Sequence, residues 1–204
     1  VSLLNFNIYN GSIVNLSTFT AGSTMLGYNI YNSTINCSNS TQGVTINTVT
    51  MYGSALNHTG VTSGTITGSN LFIENTSTIN HNNGAGNLSL NRVKITNNSI
   101  ITHTSGVIAL SDYFVESNSQ IIQQTGVSGN ISLSSGRIIG SSTVQNLADY
   151  NINGTRFSAS ENSSLTIQTG ALGTGTFTST TLTNGGSILI SSTSTAGNAS
   201  ITNS

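Results

Sequence analysis

The sequence contains no proline, a single cysteine and very little charge, and each scarcity removes a class of protein. Four Lys and Arg against five Asp and Glu give a net charge of −1 over 204 residues. That balance offers no cationic surface for nucleic acid or an anionic membrane, so neither is expected as a partner. Cys37, alone in the chain, excludes an internal disulfide framework and is expected to be a small buried apolar residue. No apolar run approaches the roughly 20 residues of a membrane-spanning helix, so membrane insertion is not expected. The first ten residues, VSLLNFNIYN, carry no basic region, no signal-peptide core and no initiating Met. A mature product or a piece of something longer is expected. Disorder is excluded by a different pairing: charge and Pro are missing while Ile, Val, Thr and Tyr are plentiful, which points to a folded, β-rich chain.

What is present is a repeat. Gly22, Gly43, Gly64, Gly86, Gly106 and Gly129 recur, followed by Gly173 and Gly197 with Asp149 in the gap, at spacings of 20–24 residues. Cutting at these positions gives nine turns, typified by VTINTVTMYGSALNHTGVTSG from Val44 to Gly64. Within each turn apolar and polar residues alternate in three short groups, the period-2 pattern of strands with one buried face. The first group stacks Leu3, Met25, Ile46, Ile66, Leu88, Ile108, Ile131, Ile152 and Phe177. The second stacks pairs from Phe6/Ile8 and Tyr28/Ile30 to Tyr113/Val115, and the third runs from Ile13 and Ile35 to Leu165 and Ile188. The expected fold is an all-β, single-stranded parallel β-helix with three strands per turn, one continuous domain over residues 1–204. At a strand spacing of about 4.8 Å, nine turns make a rod about 45 Å long.

Asn10, Asn32, Gly53, Asn75, Asn97 and Ser117 fall one above another between the second and third groups. Asn and Gly tolerate a left-handed corner, and stacked Asn side chains are able to form an amide ladder. Two residues past the third group, Asn15, Cys37, His58, His81, His103, Gln123, Asn146, Ile167 and Ile190 fill a further inward column. Imidazoles and a thiolate suggest Zn²⁺, but side chains in one column run parallel at the strand spacing and do not converge on a tetrahedral ion. A stacked polar ladder is expected instead, with no metal and no cofactor.

Outward, Tyr9, Tyr31 and Tyr52 stack and are followed by Glu74, Thr96 and Glu116. Flat aromatic faces beside carboxylates suit a glycan, although repeat duplication alone also stacks like residues. Glu74 and Glu116 lie two turns apart, about the 6.5–9.5 Å of an inverting glycosidase pair, with Lys94 and Asp112 near enough to tune them. Two exposed Glu on a solvent face more often discourage edge association, and the chain is read as a non-enzyme. Ice binding would need Thr-X-Thr pairs in one outward column; those at Thr48/Thr50, Thr65/Thr67 and Thr76/Thr78 fall at different points of the turn. Thirteen Asn-X-Ser/Thr sequons, four of them at the Asn corner, offer glycosylation sites on a secreted chain.

The Asn corners, Gly-ended turns and stacked aliphatic columns, with tracts such as NLSLNRVKITNNSI and TLTNGGSILISSTSTAGNASITN, resemble the parallel β-helix proteins of extracellular adhesins, surface filaments and virus or phage fibres. The resemblance implies a structural rod on a cell or virion surface, joined end to end with copies of itself or continuing within a longer chain. A right-handed coil is expected, since the hexapeptide repeat of left-handed acyltransferase helices is absent. Cell-surface glycans are the alternative partner, through the stripe from Tyr9 to Glu116.

Overall fold

Short runs in which Ile, Val, Leu, Tyr and Phe alternate with Ser, Thr and Asn favour extended backbone, because branched and aromatic side chains pack well on a pleated, half-buried surface. The computed structural model describes residues 2–17, 23–38, 43–60, 64–83, 86–104, 106–124, 129–147, 152–169, 174–192 and 198–202. Among the expected turn-closing residues, Gly22, Asp149, Gly173 and Gly197 lie outside the described ones.

The first winding holds β1 (Ser2–Leu4), β2 (Asn7–Tyr9) and β3 (Ile13–Ser17). Regular windings of one long and one short strand follow: β4 (Ser23–Tyr31) with β5 (Thr34–Ser38), β6 (Val44–Tyr52) with β7 (Ala55–Gly60), and β8 (Ile66–Glu74) with β9 (Thr78–Asn83). The same pattern continues in β10 (Leu88–Ile95) with β11 (Ile100–His103), β12 (Ile108–Val115) with β13 (Gln120–Gln123), β14 (Ile131–Ile138) with β15 (Thr143–Asn146), and β16 (Ile152–Ala159) with β17 (Ser164–Thr169). The last elements are β18 (Thr174–Thr178), β19 (Thr181–Leu182), β20 (Ser187–Ser192) and β21 (Asn198–Thr202).

Every long strand pairs in parallel with the long strands before and after it, and every short strand likewise. The result is a parallel β-solenoid of about seven turns built from two sheets. Two expectations are corrected here. Toward both ends the long strand is broken, into β1/β2 in the first winding and β18/β19 near the other end, so about seven turns are regular rather than nine. The first and second apolar groups also share one strand, so a turn has two strands and not three.

A left-handed residue inside each long strand explains how two strands present three apolar groups. Leu26 pairs with Asn47 and Tyr28 with Val49, which sets Gly27 opposite Thr48 with no ladder bond between them. Gly27, Thr48, Asn70, Arg92, Asp112, Ser135 and Arg156 form this column, with φ from 50° to 74°. The bend places two successive residues outward and restarts the alternation, so Met25 and Tyr28 both point in. Each long strand therefore contributes a first and a second flank, and the short strand contributes a third. The corner before the short strand is left-handed as well: Asn10, Asn32, Gly53, Asn75, Asn97 and Ser117 have φ from 47° to 57°.

The core is a set of columns. Ile8, Ile30, Met51, Ile73, Ile95, Val115, Ile138 and Ala159 stack in register and are buried. The first apolar group proves to be two columns. Ile66 stacks on Val44, whereas Met25 and Ile46 stack in line with Gly68, Leu90 and Leu110. Gly68 is the junction that hid this: a side chain there would meet Ile46 and Leu71, which already fill the space. In the first winding the expected register slips by one, because Val14, not Ile13, pairs with Ile35, and Leu16, not Asn15, pairs with Cys37. Ile13 faces solvent at 65% exposure. Phe6, expected inward, is 53% exposed because no rung covers it, although its ring still contacts Tyr28.

Directly after each corner stands a buried serine: Ser33, Ser54, Ser77, Ser99, Ser119, Ser142 and Ser163. The corner breaks the regular ladder, and the next serine repairs it. The N–H of Ser33 donates to Ser54 Oγ (3.2 Å), that of Ser54 to Ser77 Oγ (3.1 Å), that of Ser99 to Ser119 Oγ (3.2 Å) and that of Ser119 to Ser142 Oγ (3.1 Å). Buried donors are thereby satisfied at positions where no carbonyl is in reach. The sequons at Asn75 and Asn97 are this motif: the Asn makes the corner and Ser77 or Ser99 enters the column.

Candidate functional site

In a chain with so few charges, their distribution is informative. All four cations, Arg92, Lys94, Arg137 and Arg156, lie on the second flank or on the bend that borders it, together with Glu74, Asp112 and Glu116. Glu161 sits at the opposite corner, and Asp149 lies outside the described residues. The outward columns of the first and third flanks are uncharged Ser, Thr, Asn, Gln, Ala, Ile and Leu.

Two outward columns run side by side along the second flank. One holds Tyr9, Tyr31, Tyr52 and Glu74 in register. Tyr9 and Tyr31 stack with ring centroids 5.2 Å apart and planes 11° apart, while Tyr31 and Tyr52 are 6.0 Å apart and tilted by 42°. Tyr9 and Tyr52 are exposed and Tyr31 between them is half-buried. Further along, Thr96 is buried rather than outward, and Glu116 forms an ion pair with Lys94 at 2.7 Å. Glu74 and Glu116 are thus in different surroundings: one ends a row of tyrosines, the other is held by a lysine.

The neighbouring column reads Thr50, Phe72, Lys94, Phe114 and Arg137. Lys94 Nζ stands 5.7 Å from the centroid of the Phe114 ring and the Arg137 guanidinium 5.5 Å from it. Cations at such distances are attracted to the negative face of the ring. Phe72 is 47% exposed. Phe72, Phe114, Arg137 and Arg156 join the site only through the register of the strands. Phe72 precedes Glu74 by two positions and so shares its face, but Phe is ordinarily read as core.

Inside the coil, the column from Cys37 through His58, His81 and His103 to Gln123 is fully buried. His58 and His81 stack at 5.0 Å with planes 2° apart, and His81 and His103 at 4.7 Å and 8°. His81 Nε2 lies 2.9 Å from the Gly64 carbonyl, which only accepts, so Nε2 carries the ring proton. His81 Nδ1 is then the acceptor for the Nδ1–H of His103 at 2.8 Å. Gln123 donates from Nε2 to the carbonyls of Gly106 (2.8 Å) and Gly129 (3.0 Å). Desolvation pushes His58 and His103 down to about 4, with repulsion from His81 adding to it, and lowers His81; burial raises the Cys37 thiol to about 12. The side chains of Ile167 and Ile190 lie outside the described ones. Among the described residues no three His, Cys, Asp or Glu are grouped to hold a metal ion.

No family model, curated protein or solved structure matches this chain. The candidate site therefore stands on its geometry.

Resolved amide-to-amide bonds follow a column of the third flank. Asn36 donates to Asn15 (2.8 Å), Asn57 to Asn36 (2.9 Å) and Asn80 to Asn57 (2.8 Å). At the corner column, the Asn32 amide instead lies against Gly53, in the space a side chain there would need.

Proposed function

We propose that the protein is the structural rod of an extracellular fibre, filament or adhesin at a cell or virion surface, joined at its ends to further rungs of another copy or of a longer chain. The observation that carries this reading is the state of the outermost described rungs. In inward columns, Phe6 (53%) is exposed at one end and Leu182 (41%), the partner of buried Ala159, at the other. Interior rungs of the same inward columns, such as Tyr28, are buried, and an open edge of parallel strands is a template for pairing. A right-handed coil belongs to this reading, on the absence of a hexapeptide repeat. Electron microscopy of the purified protein tests it: filaments with an axial repeat near one rod length, about 34 Å for about seven turns, are expected, whereas isolated short particles would overturn end-to-end assembly.

A second reading is favoured by one observation, the stack of exposed Tyr9 on half-buried Tyr31 running into exposed Tyr52 and then Glu74. It makes the rod a carbohydrate-binding spike that holds a glycan along the second flank. Tyr31→Ala and Tyr52→Ala are expected to abolish glycan-array binding. Release of reducing ends, lost in Glu74→Gln, would extend the reading to cleavage.

A further inference from the structure

The second flank carries more than tyrosines, and its charges are not evenly matched. Lys94 is neutralised by Glu116, and Arg92 stands one rung from Asp112 in the bend column. Arg137 and Arg156 have no carboxylate one rung away in their own columns and form no ion pair, although Asp112 and Glu116 are diagonal neighbours of Arg137. The rungs beside Arg137 carry Phe114 and Ser158, and the residues beside Arg156 in its column are Ser135 and Ser179. Ser158, the partner of Arg137, lies two residues beyond Arg156, so the two arginines are diagonal neighbours with Cα atoms about 8 Å apart. Both are exposed. The Phe114 face holds the guanidinium of Arg137 in place, which reduces the freedom it would lose on binding.

We propose that the ligand of this flank is a linear acidic polysaccharide bearing uronates between uncharged sugars, laid parallel to the rod axis. The proposal rests on the glycan-binding reading of the tyrosine stripe and deepens it. From Tyr9 to Arg156 the flank extends over seven rung spacings, about 34 Å, which suits an extended chain rather than a single sugar. Tyr9, Tyr31 and Tyr52, stacked along the column, present ring edges and hydroxyls to sugars, Phe72 adds an exposed apolar ring, and Glu74 accepts hydrogen bonds from hydroxyls. Arg137 and Arg156 present planar forks that match a carboxylate. A uniformly charged polymer such as a nucleic acid would meet Glu74, Asp112 and Glu116 along the same path and be repelled. A chain in which neutral and acidic sugars alternate carries fewer charges past these carboxylates, and can set an uncharged sugar beside Glu74 and a uronate at the arginines.

Binding of hyaluronate fragments, neutral chito-oligosaccharides and single-stranded oligo-dT, measured by calorimetry at two salt concentrations, tests this. Hyaluronate is expected to bind most tightly and to weaken with salt. Arg137→Gln combined with Arg156→Gln is expected to lower hyaluronate affinity at least about ten-fold while leaving the neutral sugar unchanged. The corresponding double Lys variant keeps the charge but loses the forks, and is expected to fall between the two. Equal affinity for acidic and neutral sugars, or an indifferent double Gln variant, would overturn the acidic ligand and leave the tyrosine stripe standing. Loss of all sugar binding in the parent protein would overturn both, and tighter binding of oligo-dT would replace the glycan with a nucleic acid.

Discussion

The ring of Tyr113 occupies the space where a side chain on Gly136 would lie, one rung along the same inward column. Phe177 does the same above Gly154. Large rings in a narrow coil are accommodated by removing the side chain opposite. Gly136→Val is therefore expected to destabilise the protein by about 1–3 kcal/mol, the usual effect of overpacking. Tyr113→Val in the same chain should recover much of that loss, which chemical denaturation of the four members of the cycle would measure. Equal losses with and without Tyr113 would show that the ring is not the obstacle.

The buried histidines make stability depend on pH in a defined direction. Burial holds His58 and His103 near 4, below the ordinary 6.5, so between these values the unfolded chain binds more protons than the folded one. Stability is complete above about pH 6.5 and falls as pH is lowered toward 4, by up to about 1.4 kcal/mol per pH unit for each histidine. Thermal melts are expected to show a lower midpoint at pH 5 than at pH 7.5. His58→Gln with His103→Gln should flatten that difference; an unchanged slope would assign the effect elsewhere.

Thr48 adopts a φ of 54° in a bend column where the preceding rung has Gly27. A β-branched residue is strained there by roughly 1–2 kcal/mol, partly offset by the greater entropy a glycine loses on folding. Thr48→Gly is accordingly expected to raise the melting midpoint slightly, by the equivalent of about 0.5–1 kcal/mol. Gly27→Ala should lower it, since its Cβ would also contact the Asn5 side chain at 2.5 Å.

Asn57 is both donor to Asn36 and acceptor from Asn80 in the amide ladder. Asn57→Ala removes two partly buried bonds and is expected to cost about 1–2 kcal/mol, read from denaturant midpoints. Asn57 is also a sequon. Mass spectrometry of protein from a glycosylating host should find Asn57 modified less fully than the exposed corner Asn97, whose side chain has no such ladder to leave.

Much of the fold is legible in the sequence because it is repeated: an aliphatic residue at one position of turn after turn, as from Ile35 to Ile188, specifies an inward column more firmly than any single strand could. The failures have local causes. Gly68 in an inward column reads as a gap and merged two columns into one. Ile13 reads as core because it is apolar, whereas the pairing of Val14 with Ile35 turns it outward. The bend column is hidden in the sequence since Thr48, Arg92 and Arg156 are not residues that announce a left-handed backbone, and without it the two halves of one strand read as two. At the candidate site, the tyrosine stripe was apparent from like residues at one spacing. Phe72, Phe114, Arg137 and Arg156 were not, because unlike residues in one column carry no repeat signal and only register brings them together.

The serine column gives the coil a direction in time. Ser33 closes its corner with an oxygen from Ser54, and Ser54 with one from Ser77, as Ser99 does with Ser119 and Ser119 with Ser142, so at these four corners a turn is completed by the turn that follows it in the chain. A polypeptide emerging amino end first, from a ribosome or through a secretion pore, would lock each turn as its successor arrives. Winding would then proceed as a ratchet from one end, and the newest turn would always be the least secure.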